Sequence, residues 1–513
     1  MKYAAIHNVL VTRTARLLCM AMCALCLTNC VYLPHPEHAA NVHALPASPD
    51  SRIASNLGPE QCDLARAVLI EDPAFALTSR IDLIDAADTG IDVQYFIWQN
   101  DLTGILVIEK MLQAADRGVR VRALVDDAQM QGMISRLTVL NDHPNIEIRI
   151  FNPFSVRVQF PFELFRVAEF AIDGNRLNHR MHNKLLVADN QLAILGGRNI
   201  GDDYFGFSQQ RLFIDTDILL TGHIVRELSD GFDSYWNSRW AYPVAAIANY
   251  SVRKDDLNLL RQRIHKRLAS HPELVSMVTE FNFDETISML REGYELLAAA
   301  TVIDDPSVRW FDKPDEIAAE LTDVAMNVQR EVLIISPYLV PTENMFDIAR
   351  DLIGRGVKIT AVTNSLATND VVIAHSAYAR YRESIIDVGV ELYEMRGDPE
   401  LTENVIAEDK SLHSKYIIFD DDVVFIGSMN LDPRSLYLNT ELGVVLRSPK
   451  LADALRASFQ ILIQPENSWR VTNVPEGLRW ESSAGVIDEE PAKSNWQRFQ
   501  GQMMKALPVS NQL

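Results

Sequence analysis

Cysteine is scarce in this chain: five in 513 residues, with Cys19, Cys23 and Cys26 inside an apolar run that ends at Cys30, so that only Cys30 and Cys62 remain for the rest of the chain. Two thiols cannot build a disulfide framework, and stability has to come from an apolar core. Basic residues are also outnumbered, 48 Lys and Arg against 69 Asp and Glu, for a formal charge of -21. A surface of that sign repels polyanions at long range, which excludes nucleic acid as a general partner but leaves room for a local basic pocket holding one phosphate. Long apolar runs are missing too: "LLCMAMCALCLTNC" (17–30) is too short for a membrane span. What is present, 48% apolar and 23% charged residues, describes a globular protein long enough for two domains, or two halves around a shared interface.

Lys2, Arg13 and Arg16, with no acid among them, precede that short apolar run, which reads as a secretory leader over residues 1–30. The segment resembles a bacterial lipoprotein signal, which implies acylation of Cys30 and a membrane-anchored protein of the bacterial cell envelope. Asn29 departs from the small residue such signals carry before the Cys. Residues 31–50, rich in Pro, His and Ala, read as a tether, and "GPEQCDLARAVLIEDPAFALTSRIDLIDAAD" beyond it as helical.

"IDVQYFIW", "LTGILVIEKMLQAADRG" and "VRVRALVDD" read as strand, helix and strand, a parallel crossover. "EVLIISPYLV", "MFDIARDLIGRG" and "VKITAVTNS" repeat the pattern, Arg117-Gly118-Val119 answering Arg355-Gly356-Val357 at nearly the displacement that separates His182 from His413. The chain is therefore an internal duplication. Its expected organisation is a first half over 51–250, a helical connector over 251–305, a second half over 306–464 and an irregular C-terminal wrap over 465–513. The expected fold is α/β, each half a mixed β-sheet flanked by helices, with the active site at their interface.

Each half carries His-x-Lys-x4-Asp-x6-Gly-(Gly/Ser)-x-Asn: His182, Lys184, Asp189, Gly197 and Asn199, then His413, Lys415, Asp420, Ser428 and Asn430. Alternation along a strand puts His and Lys on one face, where an imidazole beside a fixed cation suits a phosphodiester. Asp189 and Asp420 have the opposite parity and sit at turns, so they are expected to order the turn or pair across the halves rather than act as bases. Gly197 and Ser428 are small enough to let backbone, with the amides of Asn199 and Asn430, approach a phosphoryl oxygen. A neutral imidazole that attacks phosphorus needs its other nitrogen held by a carboxylate. "DTDILLTG" and "NTELGVVLRS" align beyond the motifs and assign that part to Asp217 and Glu441.

On these residues the chain resembles the phospholipase D superfamily, whose doubled HKD motif this is. "GGRNIGD" and "NLDPRS" are similar to the bacterial cardiolipin synthase C type. The resemblance implies two facing α/β halves, one active site and no metal or other cofactor. It implies a catalytic set of His182, Lys184, Asp189, His413, Lys415 and Asp420, in which one His forms a phosphoenzyme while the other protonates the leaving alcohol. His182 is the expected nucleophile. Phospholipids are the implied partners: phosphatidylglycerol, with phosphatidylethanolamine as a second candidate donor, together with the membrane itself; an activating protein is not legible. Transfer to a lipid alcohol and hydrolysis to phosphatidic acid remain alternatives, as does a non-catalytic lipid-binding protein. Secondary candidates are Arg198 and Arg434 for a second headgroup, the Phe-rich stretch 151–170 as a lipid entrance, and Trp236, Trp240, Tyr378 and Arg382, each equally readable as packing.

Overall fold

The computed structural model describes residues 41–58, 65–130, 133–155, 169–170, 173–248, 250–280, 283–306, 316–402 and 407–505. The leader with Cys30, Cys62 and most of the Phe-rich stretch lie outside the described residues.

In chain order the strands of the first half are β1 (Arg66–Ile70), β2 (Gly90–Tyr95), β3 (Arg120–Asp126), β4 (Ile146–Phe151), β5 (Arg180–Met181), β6 (Lys184–Ala188), β7 (Leu192–Gly196), β8 (Arg211–Ile214), β9 (Asp217–Thr221) and β10 (Ala241–Pro243). Then come β11 (Tyr294–Glu295) and β12 (Ala298–Ile303). The second half holds β13 (Glu331–Ile335), β14 (Lys358–Asn364), β15 (Glu391–Met395), β16 (Asp409–Leu412), β17 (Tyr416–Phe419), β18 (Val423–Gly427), β19 (Asn439–Thr440) and β20 (Leu442–Arg447), followed by β21 (Ser468–Val474), β22 (Gly477–Ser482) and β23 (Gly485–Ile487).

The duplication is visible in the strand order. The first sheet runs β10-β4-β3-β2-β6-β7-β9-β1-β11 and the second β12-β20-β18-β17-β13-β14-β15-β21-β22-β23. Read outward from β4 and from β15, seven strands of each sheet follow the same path, three parallel and the rest antiparallel. The crossover helices explain the repeated Arg-Gly-Val. Helix Leu102–Asp116 starts on Asp101, whose carboxylate accepts from the Gly104 N–H, and ends before Gly118 at φ 97. Helix Glu343–Gly354 starts on Thr342 and ends before Gly356 at φ 88. A left-handed residue turns the chain back into the next strand, and glycine adopts it without a Cβ penalty.

One apolar cluster binds the halves. It joins Leu185 and Leu195 of the first sheet to Ile418, Val424 and Val444 of the second, with helices His223–Trp236 and Pro449–Leu462 between them. Two short parallel pairings complete the junction, β5 with β19 and β8 with β16, each joining one strand from either half.

Four segment expectations need correction. The connector is helical only to Glu292 (Asp256–Ala269, Pro272–Glu280, Phe283–Glu292); "AAATVI" is β12, paired with β20 in the place β1 occupies in the first sheet. Alanine's helix propensity is worth only tenths of a kcal/mol per residue, about what a single cross-strand pair supplies. The C-terminal segment is not irregular: β21–β23 extend the second sheet, Gly477 turns at φ 127, and helix Asn495–Lys505 follows. Of the tether, residues 41–50 dock on the first half, Val42 exchanging hydrogen bonds with Asn237 and accepting one from Arg122. The segment read as helical beyond it contains β1 before helix Pro73–Ala86.

Candidate active site

The cross-half strand pairs deliver the histidines. β5 runs beside β19, so the His182 N–H donates to the Thr440 carbonyl at 2.9 Å, and the next residue, Glu441, meets the ring: Nδ1 to Oε2 is 2.8 Å. β16 runs beside β8, the His413 N–H donates to the Ile214 carbonyl at 2.8 Å, and Asp215 meets Nδ1 at 2.5 Å. Each imidazole therefore takes its carboxylate from the opposite half. An acid on Nδ1 sets the tautomer and leaves Nε2 for chemistry.

Asp217, the expected partner of a histidine, is elsewhere. It binds Arg80 at 2.8 Å and Arg198 at 3.2 Å in a fully buried cluster. The sheet register explains the error. Gly196 of β7 faces Asp217, while its counterpart Gly427 of β18 faces Gly443, so Asp215 is the equivalent of Glu441. Matching the Thr of "DTD" with that of "NTE" shifts the alignment by two residues. Gly197 has its own reason to lack a side chain: a Cβ there would lie 2.0 Å from the Asp215 carboxylate. In the second half Ser428 takes that position, and its hydroxyl donates to Glu441 at 2.5 Å. Both positions, expected to face phosphoryl oxygens, adjoin the acids of the histidines.

Lys184 and Lys415 share the faces of their histidines and reach back to them. The Lys184 ammonium donates to the His182 carbonyl, and Lys415 Nζ lies 3.0 Å from His413 Nδ1. Burial, aided by repulsion between the two ammonium groups, pushes Lys184 down to about 7; Lys415 falls to about 8, chiefly through burial. Burial also takes His182 down to about 4 against the pull of Glu441, and burial with Lys415 takes His413 well below its usual range. Glu441, though buried, is held below the carboxylate range by His182 and Lys184, whereas burial pushes Asp215 up against Lys415 and Arg198. Lys415 acts on His182, and His182 on His413, so the two motifs lie in one electrostatic field.

The amides are not equivalent. Asn199 is spent on structure, its Oδ1 accepting from the Ile97 N–H at 3.1 Å and its Nδ2 donating to the Tyr204 hydroxyl at 2.9 Å. Asn430 is 4% exposed, and among the described residues its Oδ1 has no partner. A buried amide end without a partner costs roughly 1–3 kcal/mol, and a bound substrate group removes that cost. Rotating the amide end for end presents its N–H instead.

Asp189 and Asp420 hold turns. Asp189, at φ 54, accepts from the backbone N–H groups of Asp88, Thr89 and Gly90. Asp420, at φ 49, does the same for Gln329, Arg330 and Glu331. Each clamps the turn between two antiparallel strands to the entry of β2 or β13, remote in sequence. Arg198 is buried, donating to the carbonyls of Ile70 and Glu71, and Arg434 donates to Asn178 across the halves. Trp236 stacks on Phe232, and Trp240 lies under Arg239. Tyr378 and Arg382 bind Glu394 within a buried network. Each of these six thus has a pairing or packing partner of its own.

Residues the motifs did not announce complete the walls. Phe96 lies edge-on to His182 with centroids 5.0 Å apart, and Tyr204 and Phe213 approach His413 at 5.4 and 5.0 Å. Only Phe213 carried a signal, lying two residues before Asp215. Among the described residues no group of three or more His, Cys, Asp or Glu is spaced to hold a metal ion, and no helix is long and apolar enough to cross a membrane.

Comparison with known proteins agrees with this geometry. A family model described as "Cardiolipin synthase, PLD-like domain" matches residues 81–236 and 321–463, one segment for each half. The chain is 34% identical over 476 residues to cardiolipin synthase C of Escherichia coli (strain K12), covering 88% of this chain and 96% of that one. It is 31% identical over 450 residues to a protein of Helicobacter pylori (strain ATCC 700392 / 26695), covering 86% and 88%. Among solved structures, phosphatidylserine synthase of Haemophilus influenzae Rd KW20 shares the fold with a TM-score of 0.53 at 15% identity, over 80% of this chain and 90% of that one.

Proposed function

Because this chain belongs to the phospholipase D-like family of cardiolipin synthases, we propose that it transfers phosphatidyl groups between phospholipids through a phosphohistidine. The observation that carries the reading is the pair of imidazoles, each held at Nδ1 by an acid from the opposite half at 2.8 and 2.5 Å.

A phosphodiester enters between the two Nε2 atoms with Lys184 and Lys415 beside it. Its negative charge restores the ammonium form that burial had weakened. Both histidines begin neutral. His182, backed by an ionised Glu441, attacks phosphorus, and the P–O bond to the first alcohol breaks. Asp215 and the substrate's own charge first draw a proton from solvent onto His413 Nε2, and that proton passes to the leaving oxygen as the P–O bond breaks. The second alcohol then loses a proton to His413 and attacks phosphorus in line, and the N–P bond breaks. Phosphatidylglycerol is the donor and acceptor the reading favours, with phosphatidylethanolamine as a second donor. Acylated Cys30 would tether the enzyme to a membrane of the bacterial cell envelope, and labelling with a radioactive fatty acid, lost in Cys30→Ala, tests the tether.

The function is tested in bacteria that lack cardiolipin. The intact chain should restore cardiolipin, and His182→Ala and His413→Ala should not. Phosphatidic acid in place of cardiolipin would make the enzyme a hydrolase, and an unchanged lipid profile from the intact chain would refute catalysis. Rapid acid-free quenching with labelled phospholipid should trap a phosphatidyl group on His182 and not on His413.

A further inference from the structure

On a protein of net charge -21, one surface gathers four arginines around a single lining carboxylate, Asp256. Helix Asp256–Ala269 buries Leu260, Ile264 and Leu268 against helices Leu102–Asp116 and Ile134–Leu140, and turns Arg263, Lys266 and Arg267 outward. Beside it a cavity of about 440 Å³ is lined by Arg136, Arg253, Arg263 and Arg267, with Tyr250 and Leu259 at its edge. The other bases of the helix are satisfied: Arg261 binds Asp116 and His265 binds Glu109. Arg136, Arg253, Arg263 and Arg267 form no ion pair among the described residues. Asp256 accepts from the Tyr250 hydroxyl at 2.5 Å and from the Arg253 N–H at 2.8 Å.

Crowded like charges are a standing cost to the fold. Arg136 loses basicity through burial and then through Arg267 and Arg263. An anion placed among them would turn that repulsion into attraction. The position of the cluster matters as much as its sign. Arg136 donates to Asn100, in the loop that follows β2. The same loop carries Phe96 against His182, and its Gln99 N–H donates to the carbonyl of Ile200, next to Asn199. One loop therefore connects the basic cavity with the wall beside His182. Leu259 (44% exposed) and Tyr250 (38% exposed) add apolar area beside the charges.

We propose that this cavity binds the phosphate of an anionic phospholipid headgroup in the bilayer surface, a non-catalytic docking site that turns the wall beside His182 towards the membrane. The inference rests on the reading that the substrate is a membrane lipid. Complementary charge supplies the attraction, and the acidic remainder of the protein confines it to this face.

The test compares the full chain with Arg263→Gln/Arg267→Gln, the membrane anchor being common to both, on vesicles of phosphatidylcholine with and without phosphatidylglycerol. The full chain should prefer the anionic vesicles, and salt should weaken that preference. The double variant should lose about 25-fold in binding to them, about fivefold for each charge. Arg263→Lys/Arg267→Lys should keep the binding, since charge and not shape is required. Turnover of short-chain phosphatidylglycerol in detergent should be unchanged in all three. Equal vesicle binding by the Gln variant, or failure of the Lys variant to bind, overturns the proposal. Saturable binding of soluble glycerophosphate that displaces the protein from vesicles would assign the cavity to a free phosphate ester and overturn the membrane assignment. Preserved anionic binding without any lipid transfer would sink the transferase reading and leave this one standing.

Discussion

Asp215 and Asp217 lie two residues apart, both fully buried carboxylates, yet replacing each by Asn should harm different properties. Asp215 accepts from His413 Nδ1 at 2.5 Å. An Asn there can donate to Nδ1 instead, which moves the ring proton to Nε2 and blocks the nitrogen that exchanges protons with the alcohols. By analogy with the serine-protease triad, where Asp to Asn lowers kcat by about 10,000-fold, the expected loss is three to four orders of magnitude, roughly 4–5 kcal/mol of barrier. The fold should persist, because the amide fills the same volume between Gly197 and the ring. Asp217 answers two buried guanidinium groups, Arg80 at 2.8 Å and Arg198 at 3.2 Å. Asp217→Asn leaves them without a countercharge, at a cost of roughly 3–5 kcal/mol of stability. Lipid transfer by equal amounts of folded protein, with urea unfolding of each variant, separates the outcomes. Abolished turnover in Asp217→Asn at undiminished stability, with Asp215→Asn still active, would show that the assignment of acids to histidines is wrong.

Asn430→Ala should slow transfer about 100-fold with little change in stability, as loss of one transition-state donor does. Asn199→Ala, which strands the Ile97 N–H and the Tyr204 hydroxyl, should instead cost about 1–3 kcal/mol in denaturant unfolding. Asp189→Ala frees three backbone N–H groups and should also lower stability by about 1–3 kcal/mol, the remaining folded enzyme keeping its turnover within a few-fold. His182 sits at about 4 in the fold against about 6.5 in the unfolded chain, so the unfolded state binds more protons between those values. Stability must rise with pH through that window; at pH 4 His182 accounts for about 3 kcal/mol of the loss. The difference in unfolding free energy between His182→Ala and the parent should therefore depend on pH between 4 and 6.5 and level off above, and a difference that ignores pH there contradicts the buried neutral ring.

The doubled motif, the α/β crossovers and the His-Lys faces were legible because each rests on local rules: strand alternation, helical spacing, a left-handed glycine after a helix. The turns at Asp189 and Asp420 were readable from opposite parity together with Asn190 and the "DDD" run, and both residues take positive φ. The alanine run of β12 was not legible as a strand, because its pairing with β20 reaches across more than a hundred residues. Nor did spacing distinguish Asn199 from Asn430, which differ only in what surrounds them.

Two imidazoles in register, and a phosphate-handling chemistry for them, follow from the order of residues along the chain. Which carboxylate serves which ring follows only from the folded whole, since both acids arrive from the opposite half one residue after strands β8 and β19, which are held in place by parallel pairing with β16 and β5. Sequence spacing governs neighbours along a strand; contact between halves is set by sheet register, where a two-residue offset separates a histidine's acid from a buried arginine's.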